Sequence, residues 1–279
     1  MSEQLPLSSI HPLAPEFLSA SALYSAPIDV ENAIGRLGGL WGLDVSPQWE
    51  DVAAGAFSQD SPAGRILRFI VEDVVVLLTP LPAPIEVEKG ALPEHSFHVA
   101  VTCYAPLPPQ DRTDAQGQMV DEGPVQDLEL KLRRRMVKAH TVMTQLMDAL
   151  MREEAAVGVY RGELGVVQPP QMVIELADLL SKGQVPLPLW IAIRVYNPDL
   201  SHGRTLGLPL FGHLDLDVMD SAHSGQDVFD MLANIADYII SSDSFLLPGQ
   251  TIGYRDGEEL AIMQEVSPAD GQPVLRIQY

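Results

Sequence analysis

Three side chains able to bind a metal ion are spaced two residues apart in the segment 213–218, His-Leu-Asp-Leu-Asp-Val. Because side chains of a β-strand alternate between its two faces, this spacing predicts that His213, Asp215 and Asp217 share one face. An imidazole and two carboxylates suit a divalent cation, but same-face neighbours on one straight strand are too far apart for compact coordination. The pattern favours an exposed polar face over a buried apolar one, with a metal site and a partner-facing acidic strand as alternatives. We therefore predict no metal ion and no other cofactor.

The same part of the chain is strongly acidic. The chain has 38 Asp and Glu residues against 17 Lys and Arg residues, a net charge of −21, and residues 205–254 contain seven aspartates and no Lys or Arg. Like charges gathered in this way oppose folding, so a chain that keeps them has a use for their field, and a cationic protein partner fits that use. The alternative is that the charge only maintains solubility. The candidate contact residues are Asp215, Asp217, Asp220, Asp227 and Asp230.

The charge and the apolar runs also exclude classes of partner. Binding nucleic acid requires Lys and Arg to neutralise phosphates, so a nucleic-acid ligand is not expected, and an anionic membrane surface is disfavoured for the same reason. The longest apolar runs are too short to cross a bilayer. Residues 1–28 have no basic region and are interrupted by prolines, unlike a secretory signal. We expect a cytoplasmic protein.

No motif points to catalysis. The sequence has no G-x-S-x-G, P-loop or H-E-x-x-H pattern, and the glycine-rich segment 35–43 matches no cofactor fingerprint, which favours a tight turn beside a strand. The single cysteine, Cys103, lies in an apolar run typical of a buried structural thiol. We therefore predict that the protein is not an enzyme and has no catalytic residues.

The clearest predicted helix, residues 124–151, carries two further candidate surfaces. One is a basic cluster that opposes the global charge, and its favoured role is to pair with the chain's own carboxylates rather than with an acidic partner. The other is a methionine stripe, which favours a core face over an adaptable binding groove. Their members are Lys131, Arg133, Arg134, Arg135 and Lys138 for the basic cluster, and Met136, Met143, Met147 and Met151 for the stripe.

The predicted elements define an α+β protein. Residues 1–28 read as an irregular arm, helices are predicted at 124–151, 169–181 and 224–241, and strands at 65–78 with a turn at 72–73, 96–104, 155–160, 189–196, 250–254, 259–265 and 273–278. Segment 203–219 reads as strand broken by glycines and a proline. This order predicts mixed or largely antiparallel sheets packed with a few helices. We expect two α+β sub-domains, 1–110 and 124–279, joined by a connector at 111–123.

Several ordered blocks of the second half carry a resemblance. They are 155–160, 188–191, 204–208, 211–212, 236–239 and 249–253, and through them the chain resembles a bacterial domain family of unassigned function. The whole chain also resembles immunity proteins of polymorphic-toxin and type VI secretion systems, including ones related in fold to the suppressor-of-fused group. The resemblance implies a partner that neutralises a nuclease toxin, and it transfers no catalytic residue.

These observations lead to one favoured function and two alternatives. The favoured function is an immunity protein that binds and neutralises a cognate antibacterial toxin or effector, a nuclease with a cationic surface, through acidic residues. The first alternative is a secretion adaptor or chaperone that holds an effector on the methionine stripe. The second is a metal-dependent hydrolase that uses His213, Asp215 and Asp217.

Overall fold

The computed structural model describes residues 17–53, 55, 64–87, 92–106, 125–196, 199–242 and 244–279, with backbone alone for 125–129 and 256. The fold class is α+β, as predicted: the described residues form two sheets, one entirely antiparallel and one mixed, with helices. The chain divides into two compact units.

The first unit lies within Glu16–Pro106 and Lys138–Leu189 and contains a seven-stranded sheet. We call it the seven-stranded unit. Its strand order is β2-β3-β4-β5-β1-β6-β7, and every neighbouring pair is antiparallel. The strands are β1 (Leu18–Tyr24), β2 (Gln48–Val52), β3 (Gly64–Val71), β4 (Val74–Leu81), β5 (Phe97–Tyr104), β6 (Ala156–Arg161) and β7 (Val166–Gln168).

Local sequence explains the hairpin of β3 and β4. Glu72 and Asp73 form the predicted turn with φ angles of 46° and 70°, which gives the twist that a tight hairpin between antiparallel strands needs. Cys103 on β5 is fully buried, as predicted, and burial raises the pKa of its thiol to about 12.

The predicted irregular arm is wrong for the residues after Phe17. β1 is an interior strand between β5 and β6, and residues 1–16 lie outside the described part. The predicted tight turn at 35–43 is also wrong, because α1 (Val30–Trp41) occupies most of it. Asp29 caps this helix by accepting a hydrogen bond from the Asn32 amide. The burial of four side chains at helical spacing stabilises this helix more than its glycines destabilise it. These side chains are Val30, Ala33, Ile34 and Leu37.

Three further helices come next in the chain, two of them as predicted and the third overlapping the start of a predicted strand. They are α2 (Val125–Met151), α3 (Pro170–Ser181) and the single turn α4 (Leu187–Trp190). Proline at the first position of α3 and Gly183 with a φ of 69° after its end match the predicted start and exit. The predicted strand at 189–196 therefore begins as a helical turn and becomes extended only at Ala192.

The second unit contains Trp190–Tyr279 and the part of α2 up to Val137. We call it the six-stranded unit. Its sheet order is β11-β12-β13-β10-β9-β8, with a parallel pair at β10 and β13. Its elements are β8 (Ala192–Tyr196), β9 (Ser201–Leu206), β10 (Leu216–Ser221), α5 (Gly225–Ser241), β11 (Thr251–Gly253), β12 (Glu259–Val266) and β13 (Pro273–Ile277).

Helix α5 covers one face of this sheet. Ser224 caps its N-terminus by accepting a hydrogen bond from the Asp227 amide, as the sequence predicts. Its buried side packs against β8, β9 and β10. A Cβ added to Gly203 on β9 would lie 2.5 Å from Val228 and 2.8 Å from Leu232, so the glycine permits this close approach.

The compact units divide the chain differently from the predicted sub-domains. The predicted connector at 111–123 lies outside the described residues. Residues 138–189, expected in the second sub-domain, cluster with the seven-stranded unit instead. The reason is that β6 forms backbone hydrogen bonds with β1, from Ser21 opposite Tyr160 to Tyr24 opposite Ala156.

Candidate functional site

The predicted polar strand face is buried, which corrects the sequence interpretation. His213, Asp215 and Asp217 are 2%, 7% and 3% exposed, and β10 begins only at Leu216. His213 donates from Nδ1 to the Leu214 carbonyl oxygen at 2.7 Å, and its Nε2 accepts from the Leu246 amide at 3.2 Å. Burial lowers the pKa of His213 to about 4, so the imidazole is neutral at pH 7.

Asp215 is held by neutral donors. Its Oδ1 accepts from the Thr205 hydroxyl at 3.0 Å and from the Leu208 amide at 3.2 Å. The Thr205 hydroxyl in turn accepts from the Leu216 amide at 2.8 Å. Burial outweighs these bonds and raises the pKa of Asp215 to about 7. This carboxyl therefore ties the end of β9 to the start of β10.

Asp217 belongs to a charged row across the sheet. It lies opposite Arg204 on β9 and Arg276 on β13, and its Oδ2 is 3.2 Å from Nη2 of Arg276. Arg204 pairs with Asp270 at 2.8 Å, and Arg276 lies 3.7 Å from Glu265. Arg204 and Arg276 lie outside the segment without Lys or Arg in the sequence, but the sheet places both beside Asp217.

Burial and internal pairing remove Asp215 and Asp217 from the predicted contact surface. Their side chains and that of His213 bond to different groups instead of converging. Within the described ranges, no group of three or more His, Cys, Asp or Glu side chains is arranged to hold a metal ion.

The other three candidate aspartates are on the surface of the six-stranded unit. The Asp220 side chain at the end of β10 is 75% exposed, and those of Asp227 and Asp230 on α5 are about 40% exposed. Asp237 is exposed seven residues beyond Asp230, so at 100° per residue the two lie on the same side of the helix. Asp243 lies outside the described residues.

Two aromatic side chains border this side of α5. Phe229 is 41% exposed and Tyr238 is 47% exposed. Phe229 precedes Asp230 by 100° around the helix, and Tyr238 follows Asp237 by 100°. We call the surface formed by these residues of α5 the acidic face, and its members are Asp227, Phe229, Asp230, Asp237 and Tyr238.

An open cleft of 530 Å³ lies beside the first turn of α5. The rings of His223 and Tyr279 stack with centroids 4.0 Å apart, and Tyr254 meets Tyr279 edge-on at 5.5 Å and 84°. Asp227, Arg255 and Glu258 supply the charges. No local sequence pattern predicts this cleft, because its residues come from the β10–α5 connection, the first turn of α5, the β11–β12 connection and the residues after β13.

The basic cluster on α2 is partly internal: Lys138 pairs with a carboxylate of the chain, as the favoured interpretation expects, whereas Arg133 donates to carbonyl oxygens. Arg133 is 1% exposed, donates to the carbonyl oxygens of Phe211 at 2.9 Å and Ser244 at 2.5 Å, and stacks on the Phe245 ring at 3.8 Å. Lys138 lies 3.5 Å from Asp73. Arg133 thus joins α2 to loops of the six-stranded unit.

The methionine stripe forms core, as the sequence favours. Met143, Met147 and Met151 are 2–3% exposed, and Met136 is half-buried. These three buried methionines do not offer a surface groove to a client protein.

Comparison with known proteins gives a family match for one part of the chain. Residues 204–278 match a family described as a domain of unknown function, DUF4261. This match covers most of the six-stranded sheet, all of α5 and the acidic face, and every cleft residue except Tyr279. No curated protein and no solved structure matches the chain. None of the helices in the described ranges has the length and apolar character needed to cross a bilayer.

Proposed function

We propose that this chain is a cytoplasmic immunity protein that binds and neutralises a cognate antibacterial toxin, a nuclease, through the acidic face. The observation that carries the proposal is the composition of that face: aspartates at the centre of the exposed side of α5 with an exposed aromatic residue at each border. Two of these residues, Asp227 and Asp230, are among the contacts predicted from the sequence.

The physical chemistry of the face suits a protein partner. Aromatic side chains dominate the binding energy of protein interfaces, and Phe229 and Tyr238 supply two of them on one helix. A nuclease has a cationic groove for its substrate, so an acidic inhibitor is attracted to it and can occupy it by imitating the phosphate field. Steering of this kind raises association rates by roughly 10- to 1,000-fold and weakens as salt is added.

The structure favours neither alternative function. A hydrolase built on His213, Asp215 and Asp217 would need these side chains open to a substrate, and they are buried in structural hydrogen bonds and ion pairs. An adaptor that uses the methionine stripe would need it exposed, and Met143, Met147 and Met151 are buried.

The proposal is tested by purifying the products of the genes adjacent to this one, assaying each for nuclease activity, and adding the chain to any nuclease found. We expect the purified chain to inhibit that nuclease, and we expect the double variant Phe229→Ser/Tyr238→Ser to need at least about tenfold more protein for the same inhibition, because it loses both aromatic contacts. The matched control is Leu40→Ser/Ile70→Ser, which removes two exposed apolar side chains, 38% and 53% exposed, from the seven-stranded unit. No inhibition by the wild-type chain contradicts the immunity function, and equal inhibition by both double variants contradicts the assigned surface.

A further inference from the structure

The cleft beside α5 already holds one guanidinium group, that of Arg255. Its Cζ lies 5.3 Å from the Tyr254 ring centroid, within the range of a cation–π contact. Its Nη1 lies 3.8 Å from Oδ1 of Asp227, and its Nη2 lies 3.9 Å from Oδ2 of Asp230. These distances exceed those of a hydrogen bond, and the Arg255 side chain is 53% exposed. The internal guanidinium is therefore loosely held.

The two carboxylates are held in place by other groups. Asp227 accepts through Oδ2 from the Ser224 hydroxyl at 2.5 Å, and Asp230 accepts through Oδ1 from the Gln226 amide group at 2.8 Å. The bond from Ser224 lowers the pKa of Asp227, which keeps this carboxylate charged at neutral pH. Each carboxylate thus has its second oxygen directed toward the loosely held guanidinium, ready for closer, charge-assisted bonds.

The aromatic walls complete a site for a planar cation. The near-perpendicular rings of Tyr254 and Tyr279 present both a face and an edge, and His223 stacks on Tyr279. The Tyr254 hydroxyl is buried and makes no hydrogen bond within the described part of the chain. Glu258 adds another carboxylate to the lining, so the acids outnumber the basic Arg255 among the described side chains of the cleft and its border.

We propose that this cleft receives an arginine side chain of the partner protein, which displaces Arg255 from Tyr254 and pairs with Asp227 and Asp230. The identity of the partner as a toxin rests on the proposed function, whereas the chemistry of the cleft does not. Arginine is the group that fits, because a guanidinium can stack on an aromatic ring while its two outer nitrogens bind carboxylates. Arg255 shows the same combination in a looser form.

The test uses N-acetyl-arginine amide as the probe and N-acetyl-citrulline amide as its neutral analogue of the same shape. The full chain, labelled on tyrosine, is titrated with each while the ring signals of Tyr254 and Tyr279 are followed by NMR. We expect the arginine probe to shift both signals in a saturable manner and the citrulline probe to leave them in place. Equal shifts from the two probes, or no shift from either, would overturn the assignment.

Two variants with opposite expected effects sharpen this test. Tyr254→Leu removes the stacking surface and should weaken arginine binding at least about threefold. Arg255→Gln removes the internal competitor and should tighten binding at least about threefold. The matched control is Arg65→Gln, because Arg65 also lies over an aromatic ring, Trp49 at 4.8 Å, and pairs with Asp51 at 3.4 Å, in the seven-stranded unit.

Arg255→Gln changes an exposed side chain, so it keeps the test decisive if Tyr254→Leu does not fold. Affinity in Arg255→Gln equal to that in Arg65→Gln would overturn the displacement of Arg255. The outcomes separate this inference from the proposed function. Arginine binding without inhibition of the toxin supports the cleft and contradicts the function, and inhibition without arginine binding supports the function and contradicts the cleft.

Discussion

The aspartates of the acidic segment fall into two groups, one buried and one exposed to solvent. Asp215 and Asp217 bond to groups inside the six-stranded unit, whereas Asp220, Asp227 and Asp230 remain on the surface. The spacing of His213, Asp215 and Asp217 predicts one face of a strand, but His213 and Asp215 lie before β10 begins. Spacing alone also does not tell which side chains water reaches. The basic partners of Asp217 lie on other strands, beyond the reach of a local pattern.

At this scale the pH dependence of stability tests the burial of Asp215. Its pKa rises from 3.8 in the unfolded chain to about 7 in the fold, so the native state binds the extra proton between these values and the free energy of unfolding falls as pH rises from 4 to 7. The full change corresponds to about 4 kcal/mol at 1.36 kcal/mol for each pH unit. We expect Asp215→Asn to lack this loss of stability. The free energy of unfolding of the variant should therefore rise relative to that of wild type between pH 4 and pH 8.

Denaturant unfolding of both proteins at a series of pH values measures this difference. His213 has the opposite effect in the same window, because its pKa falls from 6.5 to about 4 and stability is lost as pH falls through that range. Comparing the variant with wild type removes the His213 contribution, which both share. A stability difference that stays constant with pH contradicts the buried, proton-binding Asp215.

At the scale of elements, strong local signals were sufficient for some predictions and misleading for others. The β3–β4 hairpin, α2, α3 and α5 follow from turn residues, helix caps and helical periodicity. β1 was missed because prolines dominate its surroundings, and its place in the sheet depends on pairing with the distant β5 and β6. α1 was missed because its glycines obscured four apolar positions.

The candidate site was predictable to the same extent as its elements. The N-cap at Ser224 and the periodicity of α5 placed Asp227 and Asp230 correctly on a helix. The cleft was not predictable, because the chain brings His223, Tyr254 and Tyr279 together only when β10, β11 and β13 join one sheet. The spacing of these residues in the sequence does not indicate that they lie together in the fold.

The packing of α5 on its sheet is tested by two glycine substitutions of opposite expected sign. Gly203→Ala places a methyl group against Val228 and Leu232 and should lower the free energy of unfolding by about 1–3 kcal/mol. Gly35→Ala lies in α1 with no atom within 4 Å of the new Cβ and should raise it by about 0.5–1 kcal/mol. Urea unfolding measures both, and a neutral or stabilising Gly203→Ala would contradict the close approach.

At the scale of the whole molecule, net charge and local charge make different contributions. A charge of −21 attracts any cationic protein from a distance and keeps the chain soluble. Only a local arrangement of carboxylates and aromatic residues selects one orientation of one partner. The proposed immunity function depends on the second contribution, so it is tested by comparing chains of equal net charge.

The most direct measurement is the association rate constant of the chain with the nuclease that it inhibits, at low and high salt. The triple variant Asp227→Asn/Asp230→Asn/Asp237→Asn should associate at least about tenfold more slowly than wild type at low salt, and the difference should shrink as salt screens the charges. The control Asp44→Asn/Glu94→Gln/Asp178→Asn loses the same charge from exposed positions of the seven-stranded unit and should stay close to wild type. Equal slowing in the two triple variants would contradict the account, because it would mean that net charge alone, and not the acidic face, drives capture.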